Sequence, residues 1–235
     1  MPTFPGVDLE VSATPLRRIN TRGRVRPTGR FASRKMGRCL PWESSNELAW
    51  LQRAELDPEI TAFYAQALTI EVRVNGRNRS HTPDGVAIRG GRVEVHEVKP
   101  DADAATDEVR ALAAAASRHV RLRGGTYGLV LESVLKAAPV YRNLQDVLRR
   151  LHRRIPDALA LVLIAEAQDG GPMSVAALAQ AAERRGAAPE DVLALVAHGR
   201  LRMDLTRPVA AAASVWAPEA FPKPRPILPL PGLLP

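Results

Sequence analysis

Residues 80–100, SHTPDGVAIRGGRVEVHEVKP, leave the chain few choices. Two runs rich in Val flank Gly90-Gly91, the pattern of two short β-strands joined by a tight turn. The turn lays Asp84 on one strand alongside Glu97-Val98-Lys99 on the next. Side chains alternate along a strand, so Glu97 and Lys99 share a face while Val98 turns into the core. Two carboxylates and an ammonium then meet where strands usually carry apolar residues. Either this is a polar strand face, or it is a metal site suited to phosphodiester chemistry. Such chemistry needs a divalent cation to polarise the phosphoryl group and to generate hydroxide near neutral pH. Mg²⁺ prefers a few carboxylates plus waters, with substrate phosphate completing its octahedron. The backbone carbonyl of Val98 can serve as a further ligand. Lys99 can orient or deprotonate the attacking water, with a pKa lowered by partial desolvation.

Around the hairpin, ESSNELAWLQRAELDP reads as a helix, with apolar Leu48, Leu51 and Ala54 at three-residue spacing, serines to cap its start and Asp57-Pro58 to end it. ALTIEVRV alternates in strand fashion into the turn NGR. ATDEVRALAAAASRHV reads as an Ala-rich helix and TYGLVLES as another strand. Helix, three strands, helix, strand predicts an α/β unit with a mixed sheet flanked by helices over residues 41–138. Beyond it YRNLQDVLRRLHRRI, DALALVLIAEAQ, SVAALAQAAERR and PEDVLALVAHGR read as helices, followed by a two-stranded ribbon, LRMDL with AASVWAP. That order predicts a winged-helix domain over residues 139–217, with a helix-turn-helix in its middle. Residues 218–235 are proline-rich and predict an extended tail. No internal repeat is visible.

The chain has 235 residues and a formal net charge of +8, which favours a polyanionic partner. Residues 17–38, RRINTRGRVRPTGRFASRKMGR, hold nine Arg or Lys and no acid, so residues 1–40 predict a basic extended arm. It is either a solvated arm or one lying along a DNA phosphate backbone, where neutralised phosphates release counterions. No apolar run reaches the roughly 18 residues of a membrane span, and no secretory leader is visible. Cys39 is the only cysteine, which suits a reducing, cytoplasmic setting. It reads as a packed residue rather than a nucleophile.

Pro83-Asp84 followed by Glu97-Val98-Lys99 matches the PD-(D/E)XK nuclease signature. GRFASRKMGRCLPWESSNELAWLQRAELDPEITAFYAQALTIEV, the HTPD strand and EVHEVKP together resemble the TnsA family, the endonuclease subunits of heteromeric transposases, over roughly residues 29–101. Residues 139–217, with VLALVAHGRLRMDLTRPV, resemble less specifically that family's winged-helix domain. The resemblance implies a restriction-endonuclease-like core and a helix glutamate, Glu47, added to the site. Asp84, Glu97, Val98 and Glu47 would hold Mg²⁺, for which Mn²⁺ can substitute, beside the catalytic Lys99. It further implies hydrolysis of the non-transferred strand at the 5′ ends of the element. The implied partners are double-stranded DNA, a DDE-type transposase subunit and an AAA+ ATPase regulator. AQAL stands where the family often has EQP, which puts the role of Gln66 in doubt.

Blander readings stand beside these. Glu43, one turn before Glu47, competes for the same role, and Gln66 can be a strand-edge hydrogen bonder. His81 and His96 lack zinc-ligand spacing and read as bystanders. Trp42 and Trp50 read as core. A stand-alone nuclease of the same fold, or a non-catalytic winged-helix protein, are the competing functions.

Overall fold

The computed structural model describes residues 4–16, 27–218 and 227–228, and the chain divides into two units. The first comprises the described residues through Lys136 together with Ile227 and Leu228; the second begins at Ala137.

In the first unit, strands β1 (Gly29–Ser33) and β2 (Arg38–Trp42) form an antiparallel hairpin. Its turn is held by buried Glu55, which accepts bonds from the Ser33 hydroxyl at 2.5 Å and from the Arg34 and Lys35 N–H groups at 3.1 and 2.9 Å. The Lys35 ammonium donates to the carbonyls of Ala54 and Asp57, both at 2.7 Å. These lie at the end of helix α1 (Ser45–Leu56), where a cation complements the helix dipole. Upstream, Leu9 and Val11 belong to the hydrophobic core. The first forty residues are therefore not one extended arm: apolar side chains and a charge pocket dock both of its described ends. Residues 17–26, the densest basic run, lie outside the described residues.

Helix α1 starts as its sequence dictates, with the Ser44 side chain accepting from the Glu47 N–H, and stops at Asp57 before Pro58. Strand β3 (Ile60–Ala65) follows, which the sequence reading missed. Strands β4 (Ile70–Val74) and β5 (Arg77–His81) then pair, among the described residues, only with each other around Asn75-Gly76, both at positive φ as a two-residue turn requires. They stand apart from the main sheet, in which the expected three strands were placed. Strands β6 (Gly85–Arg89) and β7 (Arg92–Lys99) are the Gly-Gly hairpin. A short helix α2 (Asp101–Ala104) and helix α3 (Asp107–Arg121), capped by Thr106, lead to strand β8 (Thr126–Leu131) and helix α4 (Glu132–Leu135). The four-stranded sheet runs β3-β6-β7-β8, parallel at β7/β8 and antiparallel elsewhere, so the unit is mixed α/β.

Both faces of this sheet are covered, which is why every residue of β6 is buried. Val86, Ile88, Val93 and Val95 join Ala113, Ala116 and Val120 of α3 on one side. On the other, Trp50 of α1 is fully buried against Phe63 and His96. A Cβ on Gly85 would come within 2.5 Å of the Trp50 ring, so the residue after Asp84 has to be glycine for helix and sheet to close. Trp50 is thus core, as read.

A buried polar cluster lies near the Gly-Gly turn. Arg89 donates to Asp57 at 3.1 Å and to Glu94 at 2.9 Å, and its remaining nitrogen donates to the carbonyl of Leu228 at 2.8 Å. The Leu228 N–H in turn donates to Asp57 at 2.8 Å, and Arg53 reaches the carbonyl of Ile227 at 2.7 Å. Leu228 is fully buried, so the proline-rich segment is docked at these two residues rather than free. Ending the chain at Arg225 should lower stability by about 2–4 kcal/mol, from the lost burial of Leu228 and the stripped charged bonds. Urea unfolding of the full and shortened chains measures this; an unchanged midpoint would mean the docking adds nothing.

The second unit contains helix α5 (Val140–Leu148), helix α6 (Asp157–Asp169), strand β9 (Met173–Ser174), helix α7 (Val175–Ala181), helix α8 (Pro189–Ala197), strand β10 (Arg202–Met203) and strand β11 (Ser214–Trp216). Its small antiparallel sheet has the order β10-β11-β9. Helix α5 ends earlier than expected, and its successors Arg150 and Arg153 turn to α8, bonding Glu190 at 2.6 Å and Asp191 at 2.8 Å. The acidic start of α8 is therefore internally neutralised. No helix among the described residues is long and apolar enough to cross a membrane.

Candidate metal and catalytic site

The hairpin register sets Gly85 opposite His96, which brings Asp84 level with the end of β7. There the Val98 N–H donates to Asp84 Oδ2 at 2.8 Å. Lys99 Nζ lies 2.6 Å from Glu97 Oε1, so the two side chains share a face as strand alternation requires. Val98 itself is buried. Glu47 approaches from the first turn of α1, where its carboxylate accepts from the Ser44 hydroxyl and the Glu43 N–H, both at 3.0 Å. This closes a reciprocal cap with Ser44. The local capping motif thus fixes the Glu47 carboxylate, which lies close enough to Glu97 and Asp84 to feel their charge.

The electrostatics show that these groups sense one another. Burial pushes the Asp84 carboxyl well above the usual aspartate range, and the charges of Glu97 and Glu47 push it further; the Val98 N–H and Lys99 oppose them. Glu47 is also raised, by burial first, with Glu43 and Glu97 adding to it against its two capping bonds. Lys99 departs from expectation. Burial lowers its pKa, but Glu97, Asp84 and Asp103 outweigh that effect, and the ammonium is raised. In this arrangement the Lys99 ammonium is held 2.6 Å from Glu97.

Burying three carboxylates beside one ammonium is costly unless protons or a counter-charge offset them, as the raised Asp84 and Glu47 reflect. Glu97 Oε2 is a buried carboxylate oxygen that accepts no hydrogen bond, with the His81 ring nitrogen 3.4 Å away. Both features fit a divalent cation. Among the described residues, however, no three His, Cys, Asp or Glu side chains are gathered so as to hold an ion by themselves. Mg²⁺ tolerates this, because it usually keeps several waters and takes only one or two carboxylates plus substrate phosphate. Asp84 and Glu97 are the pair that best meets that need, with Glu47 close enough to feel their charge.

Two further side chains belong here that sequence reading set aside or passed over. His81 Nε2 lies 3.4 Å from Glu97 Oε2 and 3.2 Å from the Tyr127 hydroxyl. His81 thus flanks the site, as its place three residues before Asp84 suggests, and touches Glu97. Tyr127, on β8, carried none, because the parallel β7/β8 pairing joins distant segments. Its hydroxyl is held strongly protonated by burial and by Glu97 and Asp84. His96 is a core residue: fully buried, it accepts the Trp50 Nε1–H at 2.9 Å, and burial lowers its pKa against the pull of Glu94. Gln66 sits at φ 48°, donates its backbone N–H to the Asp84 carbonyl at 3.0 Å and buries a side-chain oxygen without a partner. Non-glycine residues in this region of φ are strained, and such strain collects beside functional groups. Cys39 is exposed, contrary to its reading as packed, because it lies on the outer side of the β1–β2 hairpin.

Set against models of known protein families and against curated proteins, the chain matches none of them.

Proposed function

We propose that this chain is a metal-dependent DNA endonuclease, the cleavage subunit of a heteromeric transposase of the TnsA type. The observation that carries the reading is the meeting of Asp84, Glu97 and Lys99 at one end of the β6–β7 hairpin, with Asp84 bonded to the Val98 N–H at 2.8 Å and Lys99 2.6 Å from Glu97. The sheet order β3-β6-β7-β8 with one parallel edge is compatible with a restriction-endonuclease-like PD-(D/E)XK core. In the second unit, helix, strand, helix, helix and two strands, with sheet order β10-β11-β9, is compatible with a winged helix.

Mg²⁺ held by Asp84 and Glu97, with the Val98 carbonyl and Glu47, would polarise the scissile phosphoryl group and lower the pKa of a bound water. Glu97 fixes the Lys99 ammonium beside that position, where it stabilises negative charge developing on the phosphoryl oxygens. The Val98 N–H fixes the Asp84 carboxylate, and the Ser44–Glu47 cap orients Glu47.

Target choice belongs to partners: double-stranded DNA presented by a DDE-type transposase subunit under an AAA+ ATPase regulator. Base reading needs a helix that offers polar side chains to the major groove. Helix α8 is buried from Asp191 to Ala197, leaving Pro189 and Glu190 as its exposed residues. The purified protein is expected to bind duplexes with little sequence discrimination and to nick slowly or not at all. Adding the transposase should confine nicks to the 5′ ends of the element. Mapping nicks with and without that partner checks this, and efficient cutting of one defined sequence by the lone chain would favour a stand-alone nuclease.

A further inference from the structure

Strand β5 is the most polar strand of the first unit, and it leads directly into the candidate site. Residues Arg77 to Ser80 are all exposed, and its outer edge pairs with no other strand among the described residues. Register places Arg77 opposite Val74, Arg79 opposite Val72 and His81 opposite Ile70, so these three side chains lie on one face of the ribbon. Val72, Val74 and Ile70 share that face and are buried where β4 packs against α3, so Arg77 and Arg79 reach solvent past the unpaired edge of β5. At the end of the row His81 sits 3.4 Å from Glu97. Residues two apart in a strand stand about 7 Å from each other, so Arg79 and Arg77 fall about 7 and 14 Å along the strand from His81. Glu71 is the one acid on the ribbon, and its cross-strand partner Ser80 places it on the opposite face.

We propose that β5 is a phosphate-tracking strand, on which Arg77 and Arg79 bind the DNA backbone leading away from the phosphate beside Glu97. This rests on the nuclease reading above. B-DNA advances about 3.4 Å per nucleotide of one strand, so the two guanidinium groups match phosphates within about four nucleotides of the cut. Arg79 is held 2.8 Å from Glu108 in a pair exposed on both sides. An exposed pair of this kind is worth little and exchanges readily for a phosphate. The contacts carry no base information, in keeping with a subunit positioned by its partners.

Charged side chains on an edge strand also guard against aggregation, and that role alone makes no demand on DNA. The test uses the full chain and a short fluorescent duplex in Ca²⁺, so that binding is read without cleavage. R77A/R79A should flatten the slope of log affinity against log salt by about 1–2, at about 0.9 per lost phosphate contact. E108Q, which frees Arg79, should tighten binding. Calorimetric Mn²⁺ binding and far-ultraviolet circular dichroism should not change in either variant. An unaltered salt slope in R77A/R79A, or E108Q binding no tighter than the parent, overturns the tracking role and leaves edge protection. Failure of the parent to cleave with its transposase present would overturn the nuclease reading instead, and would leave the slope result standing.

Discussion

Asp84→Asn should abolish strand cleavage while leaving a folded and more stable protein. The loss expected in Mg²⁺ is at least about a thousandfold, equivalent to about 4 kcal/mol of transition-state stabilisation. The gain in stability follows from the sign of the Asp84 shift. Its folded pKa is raised by burial, Glu97 and Glu47, so between the unfolded value and the raised value the native state binds more protons than the unfolded state. Stability then falls as pH climbs through the folded pKa, because ionising the buried carboxyl costs the native state more than the unfolded one. Asparagine removes the charge and still offers an oxygen to the Val98 N–H. Denaturant titrations in EDTA at acidic and neutral pH measure this, with nicking assays alongside. If D84N cleaves like the parent, the site is misassigned; if it is less stable at neutral pH, the buried carboxylates are not repelling one another.

Arg89→Met should be the most damaging single change to the fold of the first unit. Arg89 bridges Asp57, which has no exposed surface, and Glu94, which is also buried. Removing one side of a buried ion cluster leaves uncompensated charge and costs about 3–5 kcal/mol. Here it also withdraws a donor from the Leu228 carbonyl. The adjoining Asp57 bond to the Leu228 N–H loses its organising charge, so the docked tail residues should loosen together with the hairpin. Guanidinium unfolding of the variant measures the loss, and proteolysis near residue 227 reports the tail. A drop below about 1 kcal/mol would show that solvent or rearrangement replaces the arginine.

Much of the candidate site was legible because it is local. A strand's period of two puts Glu97 and Lys99 on one face whatever surrounds them, and a Gly-Gly turn fixes which residues oppose each other across the hairpin. Ser44 and Glu47 likewise make their cap within four residues. Helix α1 announced itself through apolar spacing and capping serines, and α3, α6, α7 and α8 also lie where helices were expected. Strand β3 did not, because its apolar residues follow α1 without a turn signal beyond Asp57-Pro58.

What only the tertiary structure decided depends on segments far apart in the chain. The sign of the Lys99 shift is one case: desolvation was foreseeable, but whether it wins depends on how many carboxylates come near, and Asp84, Glu97 and Asp103 do. Placement of His81 and Tyr127 against Glu97 required the β4–β5 ribbon and the parallel β8 to pack where they do. The docking of Leu228 on Asp57 and Arg89 spans more than half the chain, and no local pattern encodes it. Periodicity is a property of neighbouring residues and is written in the sequence. Burial and charge coupling are properties of neighbours in space, which exist only once the chain has closed upon itself.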